Sequence, residues 1–265
     1  MHNLRNMAKV RPLYNKDTYG QQKVLVLRRK NKNLRRHFLV LLIFFVSSLM
    51  FMAFLRSPFF TVRQVQITGN EKLSYEELMQ VSGIKVGSNI WENSLAEIKD
   101  NLQALVRVDS VEVKRHFPGK LEIVIKEKEP VALIPYQSSY LELSPEGLLL
   151  GTTESFIEGL LVVTGIDLGN LHIGGKAGNE EQLAFLQHFF NAIPDFPELT
   201  LSELNLSEPL NAVLFTAGGL KVCIGSADNL IEKLETLVQI LPHVAGREQQ
   251  GYLDLRPQNP VFKPY

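Results

Sequence analysis

Residues 38–55 read FLVLLIFFVSSLMFMAFL, eighteen consecutive positions without a charge and with only Ser47 and Ser48 as polar members. As a helix this run covers roughly 27 Å, close to the ~30 Å hydrocarbon thickness of a bilayer. A helix in the core of a soluble domain needs a polar stripe for its outer face, and this segment has none. We therefore read residues 38–56 as one membrane span. Arg35, Arg36 and His37 precede it, and Arg56 and Pro58 follow. Arg56 can snorkel to the interface, and Pro58 marks the exit.

The span divides the charge. Residues 1–37 hold eleven Lys and Arg against Asp17 alone, a net +10, so the rest of this neutral chain carries −10. The positive-inside rule places the basic segment in the cytoplasm and exports the acidic remainder, giving a single-pass type II protein of the cytoplasmic membrane. The long basic region and the absence of a small-x-small cleavage site favour an uncleaved anchor over a signal peptide. A basic run without a helix pattern holds topology and touches anionic headgroups, so no nucleic-acid partner is expected.

With 45% apolar and 21% charged residues, the chain is neither a disordered tail nor a low-complexity repeat. Cys223 is the only cysteine, so the exported part is stable through its core and not through disulfides.

Residues 59–129 read as strand, helix, helix, strand, strand. Residues 61–67 alternate Val65 and Ile67 against polar neighbours. Ser74 and Glu77 have capping-box spacing, with Val81 on the apolar face and Gly83 as a stop. Ser94 and Glu97 repeat that spacing before Leu95, Ile98, Leu102 and Leu105. Strands over 108–113 and 120–127 flank Phe117-Pro118-Gly119, where Pro118 and Gly119 suit the centre of a type II turn. The result is a two-layer α+β unit.

The order, directly after an anchor, resembles the POTRA domain of the FtsQ/DivIB bacterial cell-division family. The resemblance lies in Val65-x-Ile67-x-Gly69-Asn70, Gly87-x-Asn89-Ile90 and Leu102-x-x-Leu105. It continues in Val111-x-Val113-x-Arg115-x-x-Pro118 and Leu121-x-Ile123-x-Ile125-x-Glu127-x-x-Pro130-Val131-Ala132. Where the family often has a proline after the second helix, this chain has Val106.

Residues 131–256 are β-rich. Strands are expected at 131–135, 140–143, 148–150, 160–163, 201–206, 212–216 and 220–224. A helix capped by Asn179 spans 180–193 with Leu183, Leu186, Phe190 and Ile193 inward. A second, capped by Asp228 and closed by Pro242, carries Leu230, Leu234, Leu237, Val238 and Leu241. Tyr252-x-Asp254-Leu255-Arg256 closes the chain's sheet and resembles the end of the family's β domain. The expected organisation is a basic tail (1–37), the span (38–56), a POTRA domain (57–130), a β domain (131–256) and a short Pro-rich tail (257–265).

No pattern for catalysis, a cofactor or a metal stands out. The six histidines lack ligand spacing, and His116 suits a hairpin tip. Gly174, Gly175 and Gly178 precede a helix without a phosphate-loop motif, and Glu180 with Glu181 suits a first helical turn. A small-molecule substrate is not expected. Binding through a sheet edge is another matter, because an unpaired ladder can accept a partner strand. The last strand is the candidate, with Leu253 and Leu255 inward and Tyr252, Asp254 and Arg256 outward. Pro257, Pro260 and Pro264 cannot donate to a ladder and are expected to end the sheet.

The resemblance implies a non-enzymatic division scaffold at the septum, which recruits partners and helps control septal peptidoglycan synthesis. It implies docking of an FtsB/DivIC-type protein at Tyr252, Leu253, Asp254, Leu255, Arg256 and the residues just after, with an FtsL-type protein and septal synthase components as further partners. Pro257 stands where many relatives have an aromatic. An envelope transport or assembly factor would need a barrel or repeated POTRA units. A tethered wall enzyme would need a nucleophile or paired acids.

Overall fold

The computed structural model describes residues 16–169, 171–244, 251–257 and 259–264, with the backbone alone for 16–33 and 264. The first fifteen residues of the basic segment lie outside this set. The chain forms two compact units, one ending at Thr61 and the other starting at Val62.

In the first unit α1 (Lys16–Leu55) runs for 40 residues. Helix thus continues back into the basic segment, where no helical pattern is legible. Its Leu34–Leu55 part is long and apolar enough to cross a membrane, and none of it is buried within the chain's own fold. A 3-10 turn at Pro58–Phe60 follows. There the rings of Phe54, Phe59 and Phe60 pack at centroid distances of 5.2 to 6.1 Å.

The second unit opens with β1 (Gln64–Thr68), α2 (Tyr75–Ser82), α3 (Leu95–Gln103), β2 (Val108–His116) and β3 (Lys120–Glu127). The strands order as β1-β3-β2, with β3 parallel to β1 and antiparallel to β2. Leu121, Ile123 and Ile125 of β3 are buried while Val124 is exposed, the alternation of a sheet with one covered face. Leu78, Ile98 and Leu102 of the helices are buried as well. Removing any one of these large side chains from water stabilises the fold by about 1.5–3 kcal/mol.

The serine half of each expected capping box forms, since Ser74 Oγ accepts from Glu77 N–H and Ser94 Oγ from Glu97 N–H. Gly83 ends α2 in the left-handed region. The Glu127 carboxylate accepts from the N–H groups of Glu71, Lys72 and Leu73, tying the end of β3 to the β1–α2 loop.

Two expectations fail in this part. Residues 61–63 belong to no strand. Instead Val62 exchanges backbone hydrogen bonds with Gly87 and Ser88, and Arg63 N–H donates to Gly119 O. The hairpin turn is not type II, which needs positive φ at Gly119. That residue has no positive φ, and the Phe117–Pro118 peptide is cis.

The remaining strands are β4 (Ala132–Tyr136), β5 (Ser139–Leu143), β6 (Leu149–Thr153), β7 (Leu161–Thr164), β8 (Leu201–Asn205), β9 (Ala212–Thr216), β10 (Lys221–Gly225), β11 (Gly251–Asp254) and β12 (Val261–Pro264). They form one nine-stranded sheet ordered β12-β11-β10-β9-β8-β7-β4-β5-β6. The helices α4 (Glu180–Ala192) and α5 (Leu230–Val244) share a single core with it. Phe185, Leu186, Phe189, Phe190, Leu234 and Leu237 supply their part of that core.

Asn179 and Gln182 form a complete capping box on α4. Phe185 and Phe189 are buried where Leu183 and Ile193, read as inward, are only half-buried. Asp228 does not cap α5, because its carboxylate takes the Ser226 hydroxyl instead. Pro242 lies inside α5, which continues at least to Val244. The proline costs the helix its own N–H bond to the preceding turn.

Candidate partner-docking site

The structure corrects the expectation that residues 252–256 are an open edge. β11 is paired on both sides, in parallel with β10 and antiparallel with β12. The edge is β12, and the reason is local. Pro257 and Pro260 fall in the connection, while Pro264 lies at the end of an edge strand, where a missing N–H costs the ladder little. The short alternation Val261-Phe262-Lys263 was the available signal, and the surrounding prolines masked it.

Of the five residues expected to meet a partner, Leu253, Asp254 and Leu255 are buried, Tyr252 is half-buried and Arg256 is exposed. Leu253 and Leu255 pack inward as expected. Asp254 does not face solvent, since its side chain is 5% exposed. Arg256 Nε donates to Asp254 Oδ1 and Arg256 Nη2 to Asp254 Oδ2, each at 2.8 Å. The Arg256 backbone N–H adds a third bond to Oδ1. This grip holds the Asp254 carboxyl below the usual carboxylate range and pushes the Arg256 guanidinium up. Arg256 Nη1 also reaches Asn211 Oδ1 at 3.4 Å.

Lys263 of β12 lies 3.9 Å from Asp254 Oδ2, and its ammonium sits 5.6 Å from the Tyr252 ring centroid. Tyr252 of β11 and Lys263 of β12 are cross-strand partners in register, so the two strands share an aromatic–cation pair with its cation exposed at the edge. Val261 is exposed at the same edge. Behind it, Asn229, Glu232, Lys233, Leu255 and Pro260 border a polar hollow of about 290 Å³. Cys223 pairs in register with Asp254, and burial pushes its thiol up, away from reactivity.

The opposite end of the sheet is less open. Leu149 of β6 exchanges backbone hydrogen bonds with Gly174 and Gly175, and Leu148 bridges Lys176. The N–H groups of Gly174 and Gly175 are therefore spent on protein carbonyls. His116 ends β2 and contacts Glu122 at 2.6 Å, which holds the Glu122 carboxyl low. Among the described residues no group of three His, Cys, Asp or Glu side chains could hold a metal ion. The arrangement offers a backbone ladder with a charged and aromatic border, which suits binding of an extended segment.

Known proteins share sequence similarity with this chain over much of its length. Residues 60–128 match the family model described as POTRA domain, FtsQ-type. The chain is similar to the cell division protein DivIB of Clostridium botulinum, at 25% identity over 93% of this chain and 98% of that protein. It is similar to the cell division protein FtsQ of Geotalea daltonii, at 25% identity over 71% of this chain and 73% of that one. The DivIB of Brevibacillus brevis is 32% identical over 40% of each chain.

Proposed function

Starting from a chain that belongs to the FtsQ/DivIB cell-division family, we propose that it serves division as a non-enzymatic scaffold anchored by α1. The basic segment stays in the cytoplasm and both sheets lie outside the membrane, at the septum. The charge asymmetry across the apolar helix supports that orientation. The POTRA part (57–130) localises the protein. The β part (131–256) and the tail after it recruit FtsB/DivIC-type and FtsL-type proteins, and so help control septal peptidoglycan synthesis.

The observation that carries the recruitment reading is the outer side of β12, which pairs with no further strand among the described residues, at one end of a nine-stranded sheet. A partner segment adds there as a tenth strand, with backbone hydrogen bonds for affinity and the Tyr252, Arg256 and Lys263 side chains for selection. The site expected at Tyr252 to Arg256 thus becomes the second row behind the contacting strand. Photo-crosslinkers placed at Lys263 on one sheet edge and at the exposed Thr152 on the other test this in dividing cells. Crosslinks to a division partner from Lys263 and none from Thr152 are expected. The reverse pattern removes the proposed edge.

A further inference from the structure

Three large apolar side chains stand exposed on two neighbouring loops of the POTRA part, Val86 at 58%, Trp91 at 45% and Phe117 at 55%. The Trp91 and Phe117 rings touch with centroids 5.0 Å apart and planes tilted by 33°, so they form one contiguous surface. Arg115 lies 5.6 Å over the Trp91 ring and donates to the carbonyls of Ile90 and Asn93, which fixes the ring's loop to β2. Both loops are fastened to the first residues after the anchor. Gly87 N–H donates to Val62 O, Val62 N–H to Ser88 O, and Arg63 N–H to Gly119 O, all at 2.8 to 2.9 Å.

Only six residues separate Leu55 from Val62, three of them in the Pro58–Phe60 turn. Even a fully extended chain of that length reaches at most about 25 Å. The Leu34–Leu55 segment is about 33 Å long as a helix, so its end reaches the headgroup level of a ~30 Å hydrocarbon core. The covalent link thus limits how far this patch can lie from the end of α1 to about that reach. Exposed Arg63 and Lys85 adjoin the patch and suit anionic headgroups; of the nearby acids, Glu92 beside Trp91 is exposed, while Glu122 is half-buried and engaged by His116. Tryptophan is the side chain most at home where an apolar body meets a wet boundary.

We infer that the loops carrying Val86, Trp91 and Phe117 form a membrane-docking surface, which seats the POTRA part on the anionic headgroup layer of the bilayer that α1 crosses. This rests on the reading of α1 as a membrane anchor. Docking removes the swivel that a six-residue tether would otherwise permit, and it sets the orientation in which the distant sheet edge is presented.

Trp91 is the only tryptophan in the chain, so its fluorescence reports on this patch alone. The full chain is reconstituted into phosphatidylglycerol–phosphatidylethanolamine vesicles, with and without brominated acyl chains, and co-flotation is checked first. Expected are a blue-shifted emission, quenching by the brominated lipid and protection from aqueous acrylamide. Loss of those effects is expected in Phe117→Ser and in Lys85→Glu, with far-UV circular dichroism unchanged. Failure to float sinks the anchor reading itself. Flotation with acrylamide-accessible, bromolipid-insensitive emission overturns the docking inference alone. So does protection that depends on protein concentration without bromolipid quenching, which would mean a second copy covers the patch.

Discussion

Arg107, in the short link between α3 and β2, reaches across to the Glu142 carboxylate of β5, joining the three-stranded part of the unit to the nine-stranded sheet. Both side chains are shielded, at 11% and 1% exposure. The Arg107 carbonyl accepts from Lys128 N–H at 2.7 Å, so the same residue also grips the segment leading into β4.

Removing one partner of this pair strands the other. Arg107→Ala leaves an uncompensated carboxylate in the interior and is expected to destabilise the fold by about 3–5 kcal/mol. The double variant Arg107→Met with Glu142→Leu, which has no buried charge, is expected to recover most of that loss. Gly151 adds an internal check, because a Cβ there would stand 2.6 Å from Arg107 Nη2. Gly151→Ala is therefore expected to cost stability in the wild type and almost nothing beside Arg107→Ala. Denaturant midpoints of the four variants check this, and an Arg107→Met with Glu142→Leu protein no more stable than Arg107→Ala would contradict the buried-charge account.

The Asp254–Arg256 grip sets a pH dependence. The folded Asp254 carboxyl titrates below its unfolded value of about 3.8, so its contribution is complete above that value and is lost as pH falls through the folded one. Asp254→Asn is expected to be less stable than wild type by about 1.5–3 kcal/mol at neutral pH, the range for hydrogen bonds to a charged group. The gap is expected to close progressively in acid below the unfolded value. Comparing the two proteins cancels Glu122 and Glu146, whose carboxyls are also held low, by His116 and Ser144. A gap that stays constant with pH contradicts the ion-pair account.

Local rules made much of this architecture readable. Ser74, Ser94 and Asn179 start helices because each side chain satisfies an N–H that the first turn leaves open. The alternation Leu121, Ile123, Ile125 sets which face of β3 is covered. What was not readable depends on partners far along the chain. Arg107 and Glu142 are 35 residues apart, and nothing near either one announces the other. Prolines after residue 256 misled because proline forbids a central strand but is tolerated at an edge, and only the assembled sheet says which applies.

Gln182 is another residue whose importance emerges only in three dimensions. Its amide nitrogen donates to Gly165 O and Leu206 O, each at 2.8 Å, and its oxygen accepts from Asp167 and Asn179 N–H. One buried amide thus joins the start of α4 to the ends of β7 and β8. Gln182→Leu keeps much of the volume but leaves the buried Leu206 carbonyl and the part-buried Gly165 carbonyl without their donor, at an expected cost of about 1–3 kcal/mol. Gln182→Glu keeps the acceptor and turns a negative charge toward those carbonyls, so it is expected to be at least as damaging. Thermal unfolding of both variants decides the matter, and a leucine variant as stable as wild type would remove the hub.

Gly69 and Gly87 both have positive φ, +83° and +91°, yet a methyl group should affect them very differently. A Cβ on Gly69 would stand 2.0 Å from the Ile125 carbonyl oxygen in the central strand β3, whereas nothing lies within 4 Å of one on Gly87. Gly87→Ala therefore carries only the left-handed backbone penalty, about 1–2 kcal/mol. Gly69→Ala carries the same penalty and also forces β1 away from β3, because backbone cannot rotate aside as a flexible side chain can. A loss of about 2–5 kcal/mol is expected, the left-handed penalty plus the ~1–3 kcal/mol of overfilling a packed site. Amide exchange locates the damage: faster exchange in Gln64–Thr68 and Lys120–Glu127 is expected for Gly69→Ala, with Leu201–Asn205 and Ala212–Thr216 unchanged. Equal losses at the two glycines would show that the close approach to Ile125 contributes nothing.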